Sequence, residues 1–347
     1  RVASVLGKQL NEDGINTLMK MCYDSEIDKP FFALIINAYV LSNGYDILRG
    51  INFEAYEAKY IAWVLSCIEP SMALFKMVDD LLKEQGDLYW NTMKIPRFVF
   101  EDETAIEYAW QQLVDRKRYA AAINLFSVSA EQCNIAHSEL CDVLTQAART
   151  ESDDKLDPDA VRNLIEILQQ FRSASIEEIS NVEFIYLLWL NEYSQVKPLA
   201  LRFRLANEPA FFCELIQLFY KKKHSEHHEH TLSEPIGKRL FEILFDFCVV
   251  PGTDWDGNFN EVVFDKWIAD CKAWALKEDR EDIVQQTIGR GLSYAKKEKN
   301  GLDNEFIMKE LNKLDNEQMR FGYRLGIENQ RGVHWIDPEG KPEYELA

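Results

Sequence analysis

At 347 residues, with 47% hydrophobic and 12% aromatic content, the chain has too much apolar surface for a disordered polypeptide. It is long enough for two or three ordinary domains or for one elongated array. The 58 acids against 39 bases give a formal charge of -19, a field that repels phosphate backbones and anionic lipid heads.

Helical periodicity dominates from end to end. Thr104–Phe126 reads as a helical hairpin: Ala105, Ile106, Ala109, Trp110, Leu113 and Val114 form one stripe. After the charged link Asp115–Arg118, a second stripe runs through Tyr119, Ala122, Ile123 and Phe126. Two such short helices cannot bury their stripes alone, which predicts stacking against neighbouring hairpins. Gly86–Trp90 is expected to end the preceding helical unit, with Asp102 beginning this one. The polar stretch Thr150–Asp157 (TESDDKLD) reads as a linker and sets a boundary between 1–150 and 151–347.

Beyond it, Asp157 and Pro158 supply an N-cap and a first-turn proline. Val161, Leu164, Ile165, Leu168 and Phe171 then mark one helix face. Ser175 and Glu178 form a candidate capping box for a helix that carries Phe184–Leu190, apolar all round and so expected at the centre. Asn207–Pro209 opens a helix with Phe211, Leu215 and Phe219 inward, and Ser233–Pro235 opens another through Leu240, Phe241 and Leu244. Val263, Trp267, Cys271 and Trp274 line a long helix, and Val284, Ile288, Gly291 and Ala295 its successor. Asn300 and Gly301 interrupt the pattern before Ile307, Leu311 and Leu314 resume it. Strand signals are confined to Phe98–Phe100 and Val333–Ile336. The predicted fold is all-α, an irregular helical-repeat, α-solenoid-like array of hairpins: repeats in 1–150, longer aromatic-rich helices with a glycine-containing C-terminal loop in 151–347.

No run approaches the roughly 18 to 20 apolar residues of a membrane span. Cys22, Cys67, Cys133, Cys141, Cys213, Cys248 and Cys271 lie far apart with no CxxC pair, as expected of reduced, buried thiols in a cytoplasmic protein. A chain that opens at Arg1 and ends in the polar run Glu343–Ala347 is expected to be a piece of a larger polypeptide.

Signals for chemistry are sparse. His224, His227, His228 and His230 with Glu226 and Glu229 offer ligand types for zinc or nickel, but lack a distant second half; they read as a solvated loop. Asp254–Asn260 (DWDGNFN) resembles the opening of a calcium loop, with its glycine early and Asp265 at the closing position, and reads as an Asx turn capping the next helix. Phosphate-loop, dinucleotide-fold, nucleophile-elbow and HExxH motifs are all absent. Cys133 and His137 are only an i, i+4 pair, and Glu177 and Glu178 a solvated face. Arg320 and Arg324 share a helical face near Arg331, His334 and Trp335; with Arg202 and Arg204 they make the candidate binding surface.

At Val182–Tyr220 (with FIYLLWL, KPLALRFRLANEPAFF and CELIQLFY), and again at PGTDWDGNF and FGYRLGIENQRGVHW, the chain resembles the helical C-terminal region of very large bacterial multidomain proteins. These are similar in layout to NTPases of the antiphage or conflict type. The resemblance implies ligand recognition or scaffolding within a larger machine, and carries over no catalytic residue. The expectation is a non-catalytic interaction region without cofactor or metal, whose partner is a protein or another part of its own polypeptide. A second reading is a nucleic-acid module using Arg202, Arg204, Lys221–Lys223 and the Arg320, Arg324, Arg331 group; a third is a metal enzyme built on the histidine-rich loop.

Overall fold

The computed structural model describes residues 2–93, 103–129, 133–170, 174–190, 196–219 (backbone alone for 216–219), 260–278 and 289. All regular structure among the described residues is helical, so the protein is all-α. The strand candidates, the histidine-rich segment, the 284–295 and 307–314 stripes and Phe171 lie outside the described residues. The chain divides into two compact units, Arg1–Leu164 and Ile165–Ala347.

The first unit begins with α1 (Val2–Gln9), α2 (Glu12–Tyr23) and α3 (Lys29–Asn43). Asn11 caps α2 by accepting from the Gly14 amide at 2.9 Å, and Pro30 sits in the first turn of α3, where its missing N–H is not needed. Ile15, Met19, Cys22, Phe32, Ile35, Ile36 and Val40 are fully buried between them. Next come α4 (Ala58–Ser66), α5 (Met72–Leu82) and α6 (Asp87–Thr92). The Tyr60 hydroxyl on α4 donates to the Met19 carbonyl on α2 at 2.8 Å, joining the two by a bond inside the core. Gly86 stands immediately before α6, whose Tyr89 and Trp90 are buried against Phe75.

The hairpin is present as α7 (Glu103–Asp115) and α8 (Tyr119–Ser127). Ala105, Ile106, Ala109, Trp110 and Leu113 are buried on one side, and Ala122, Ile123 and Phe126 on the other. Trp110 stacks on Phe126 with centroids 5.4 Å apart. Its indole N–H donates to Glu139 at 2.8 Å on the following helix α9 (His137–Arg149), so one side chain ties three consecutive helices.

The charged link is a closed helix terminus. The Arg118 amide reaches the Leu113 carbonyl and the Lys117 amide the Val114 carbonyl, both at 2.9 Å, with Lys117 at φ 58°: a Schellman motif with lysine in the left-handed position. The Arg118 guanidinium then grips both oxygens of Asp154 at 2.6 and 2.8 Å and donates to the carbonyls of Trp90 and Met93 at the end of α6. Asn124 receives the Asp157 amide at 3.1 Å and donates to the Lys155 carbonyl at 2.9 Å. The stretch Thr150–Asp157, which reads as a linker, is thus strapped onto the hairpin.

Asp157 caps α10 (Pro158–Leu168) through the Asp159 amide at 3.0 Å, and Val161, Leu164, Ile165 and Leu168 are fully buried. The division between the units falls within this helix. In the second unit the capping box forms as read: Ser175 and Glu178 bond reciprocally at the start of α11 (Ile176–Ile185). Phe184–Leu190 is not one all-apolar helix. α11 stops at Ile185, and tight turns bury Tyr186, Leu187 and Leu190 while Leu188 faces outward.

Three helices follow: α12 (Leu199–Asn207), α13 (Pro209–Phe219) and α14 (Glu261–Lys277). On α13 it is Phe212, not Phe211, that is buried. Asn260 caps α14 by accepting from Val262 and Val263 at 3.0 and 3.3 Å, as the turn reading of the acidic segment requires. The inward face of α14 is Phe264, Trp267, Ile268, Cys271 and Ala275, rotated from the predicted stripe, so Val263 is exposed. The larger Phe264 takes the buried place, with Trp267 edge-on to Phe212 at 4.7 Å.

Left-handed backbone disfavours any residue with a β-carbon by roughly 1–2 kcal/mol, partly offset by the entropy that glycine adds to the unfolded chain. Lys117→Gly is expected to stabilise the protein by about 0.5–1 kcal/mol, read as a higher urea midpoint at unchanged slope; Lys117→Val is expected to lower it.

Candidate functional site

Of the predicted surface, Arg320, Arg324, Arg331, His334 and Trp335 lie outside the described residues. Arg202 is half-buried on α12. Arg204, two residues on and so on a different side of α12, is only 8% exposed and its charge is used inside the second unit. Its guanidinium donates to the Ser180 hydroxyl on α11 and to Glu208, each at 2.9 Å, and lies 3.9 Å above the Phe211 ring. A guanidinium stacked, paired and desolvated in this way holds α11, α12 and the start of α13 together.

Beside it is a group that sequence reading missed. Glu183, on α11, is fully buried. One carboxyl oxygen accepts from the Gln169 amide at 2.6 Å and the Ala200 amide at 3.2 Å, and the other from the Leu201 amide at 2.6 Å. The residue at the N-cap position of α12 is Pro198, which offers no capping side chain. Glu183 therefore caps α12 from a neighbouring helix, with its negative charge at the positive end of the helix dipole. Burial nevertheless outweighs these bonds and pushes its carboxyl up to about 7. A carboxyl near neutrality suits proton transfer, but both oxygens are engaged and none of the side chain reaches solvent, so the arrangement supports a helix junction.

Other candidate chemistry is no better placed to react. Among the described residues, no group of three or more histidine, cysteine, aspartate or glutamate side chains is placed to hold a metal ion. Cys133 donates to the Ser129 carbonyl at 3.1 Å, and burial with Glu107 and Glu103 nearby pushes its thiol up to about 11, which removes the thiolate a nucleophile needs. No described helix is long and apolar enough to cross a membrane.

The described helices expose several large apolar side chains, and α1 and α3 carry a set of them on two helices packed directly on each other. α1 lies on α3 at an unusually close crossing: a β-carbon on Gly7 would come within 2.5 Å of the Ile35 carbonyl oxygen and 2.9 Å of the Ala38 β-carbon. Ala3 and Gly7 form the buried side of α1. With its small residues inward, α1 turns Val2 (74% exposed) and Val5 (55%) to solvent, and α3 does the same with Leu34 (61%) and Leu41 (51%). Leu34 and Leu41 are seven apart, two turns along one helix face. Isolated exposed leucines are ordinary; a helix pair that buries its glycine and exposes Val2, Val5, Leu34 and Leu41 is the better candidate for recognition.

No protein-family model, curated protein or solved structure matches the chain.

Two outcomes follow from these sites. Gly7→Ala forces the α1–α3 crossing apart, and the expected loss is about 1–3 kcal/mol despite the better helix propensity of alanine, measured by urea unfolding. For Glu183 the folded carboxyl titrates at about 7 against 4.5 for an ordinary glutamate. Between those values the folded protein holds a proton that the unfolded chain has lost, so stability falls as pH rises through this window, by about 3 kcal/mol at most. Glu183→Gln should flatten that fall, so the variant gains on the native protein as pH rises. A wild-type-minus-variant difference that stays constant from acid to neutral pH would contradict the assignment.

Proposed function

We propose that this chain is a non-catalytic helical interaction region, an irregular array of stacked hairpins that presents the α1–α3 face to a protein partner or to another part of its own polypeptide. The observation that carries this reading is the outward set Val2, Val5, Leu34 and Leu41 on a helix pair whose close crossing depends on Gly7. Consecutive packing of α7 on α8, α8 on α9, α11 on α12 and α12 on α13 supports the array. With Arg204 engaged internally, and a net charge of -19, a protein partner suits this surface better than a phosphate backbone. Placement in the cytoplasm, within a large bacterial multidomain protein acting in antiphage defence, belongs to the same proposal and rests on the sequence resemblance at Val182–Tyr220 and on the widely spaced cysteines.

The test is site-specific photocrosslinking in cells, with the crosslinking residue at Leu34 or Val5 and a control at Glu107, which is exposed on α7. A discrete adduct from Leu34 and Val5 but not from Glu107 is expected, lost in Leu34→Glu/Leu41→Glu while the unfolding midpoint shifts by no more than about 0.5 kcal/mol. Equal labelling from all three positions, or adducts that persist in the double variant, would overturn the assignment of this face.

A further inference from the structure

We propose that the ring cluster of Tyr23, Tyr56, Tyr60 and Trp63 is a binding site for a quaternary ammonium, the cation carried by choline and by trimethylated lysine. The site uses none of the outward residues of the α1–α3 face and stands apart from the interaction reading. Tyr23 is the last residue of α2, Tyr56 lies just before α4, and Tyr60 and Trp63 are on α4 about one turn apart. The Tyr23 ring stands across two neighbours, at 69° to Tyr56 with centroids 5.1 Å apart and at 73° to Tyr60 with centroids 4.9 Å apart. Tyr56, Tyr60 and Trp63 continue as a row of tilted rings at spacings of 5.3 and 5.4 Å. Tyr60 is buried and its hydroxyl donates to the Met19 carbonyl, so it forms a fixed back wall. Tyr23 is 44% exposed and Tyr56 half-buried, so the corner they make is open to solvent.

Ring faces are negative and attract cations. A cation resting on the face of one ring of a perpendicular pair lies about 4 to 5 Å from both centroids, inside the roughly 6 Å reach of a cation–π contact. The row already holds one such charge: Lys29 Nζ stands 5.4 Å from the Trp63 centroid, at the other end of the row from Tyr23. The surrounding charge has the sign a cation needs. Asp24, Glu26 and Asp28 follow Tyr23, and Glu54 and Glu57 flank Tyr56; all are exposed, and none is in an ion pair among the described residues. A Schellman turn closes α2 here, with Ser25 at φ 62° and the Glu26 amide on the Met21 carbonyl at 2.8 Å, which folds these acids back toward the end of α2. Burial first, and the Asp24 charge second, push the Tyr56 hydroxyl upward, so the field of that carboxylate is felt at the corner. Shape then selects among cations. A planar guanidinium stacks on one face, and a primary ammonium is strongly hydrated and must surrender that water. A quaternary ammonium spreads its charge over a rounded methyl surface that touches both walls at once and leaves no N–H donor to satisfy.

The experiment titrates the full chain with tetramethylammonium chloride and follows the methyl proton resonance, which moves upfield when ring faces shield it. A saturable upfield shift is expected, with affinity lowered about three- to fivefold by Tyr23→Leu and by Tyr56→Leu, and held within about twofold by Tyr23→Phe, which keeps the ring. Asp24→Asn combined with Glu57→Gln should weaken binding as well, and the part they supply should fade as salt is raised. Each variant is checked for native helicity and urea midpoint. A further comparison needs no variant: 3,3-dimethyl-1-butanol has the shape of choline with carbon in place of nitrogen, and should bind at least about tenfold more weakly than choline. Choline and an otherwise neutral trimethyllysine peptide are then compared, and the tighter of the two identifies the source of the cation. Equal binding of choline and its neutral isostere, absence of a saturable shift, or a shift unchanged by Tyr23→Leu would overturn the proposal.

Discussion

Most of the described helices are too short to stand by themselves, and that constraint governs the rest of the structure. They run from the six residues of α6 to the seventeen of α14, and isolated helices below about 12–15 residues are marginal in water. Every helix leaves four amides and four carbonyls without internal partners, so an array of short helices has a large proportion of its backbone at risk. Two side chains answer this in opposite senses. Arg118 brings positive charge to the carbonyl end of α6, and Glu183 brings a carboxyl to the amide end of α12. Each acts from a different element than the one it caps, so end-capping and tertiary packing are one interaction. Each sign also matches the helix dipole it meets.

The same logic explains where polar residues are placed. Trp110 reaches Glu139, Arg204 reaches Ser180, and Asn124 holds both Lys155 and Asp157; in each case a polar group joins two different elements of the stack. Not all such groups are satisfied. The Tyr89 hydroxyl, the Ser129 hydroxyl and the Trp267 indole N–H are buried with no hydrogen-bond partner, each costing about 1–3 kcal/mol. Trp267 lies one turn before Cys271, so α14 carries an unsatisfied donor next to a buried thiol where it packs on α13. That seam is held by the packing of Phe212 on Trp267 where other junctions use ionic or amide bonds.

Local signals were legible in the sequence because their causes are local. The Ser175–Glu178 box, the Asp157 and Asn260 caps and both stripes of the α7–α8 hairpin each depend on residues within one or two turns. What could not be read depended on the partner element. α14 is rotated so that Phe264 is buried and Val263 exposed, with Trp267 packed edge-on against Phe212 of α13. Phe184–Leu190 has helical composition, yet the helix ends at Ile185 and the rest turns. The chain Thr150–Asp157 has a linker's composition, but its acids and backbone are ligands for Arg118 and Asn124. Glu183 gave no signal beyond a glutamate beside an apolar run, which is equally what an acid at the edge of a solvated helix face looks like in sequence.

The candidate surface moved for a related reason. Arginine and glutamate in a helical sequence are ordinarily assigned to solvent, and Leu and Val to the core. In a stack of short helices the junctions draw charged groups inward, as Arg204 and Glu183 demonstrate. The outward faces then keep apolar residues wherever small residues do the packing, as Ala3 and Gly7 do for α1. A close crossing of helix backbones leaves no room for valine at the contact, so Val2 and Val5 are turned away from it. Exposure of those valines follows from the geometry of the crossing, and Leu34 and Leu41 on the partner helix extend the apolar area beyond what that crossing requires.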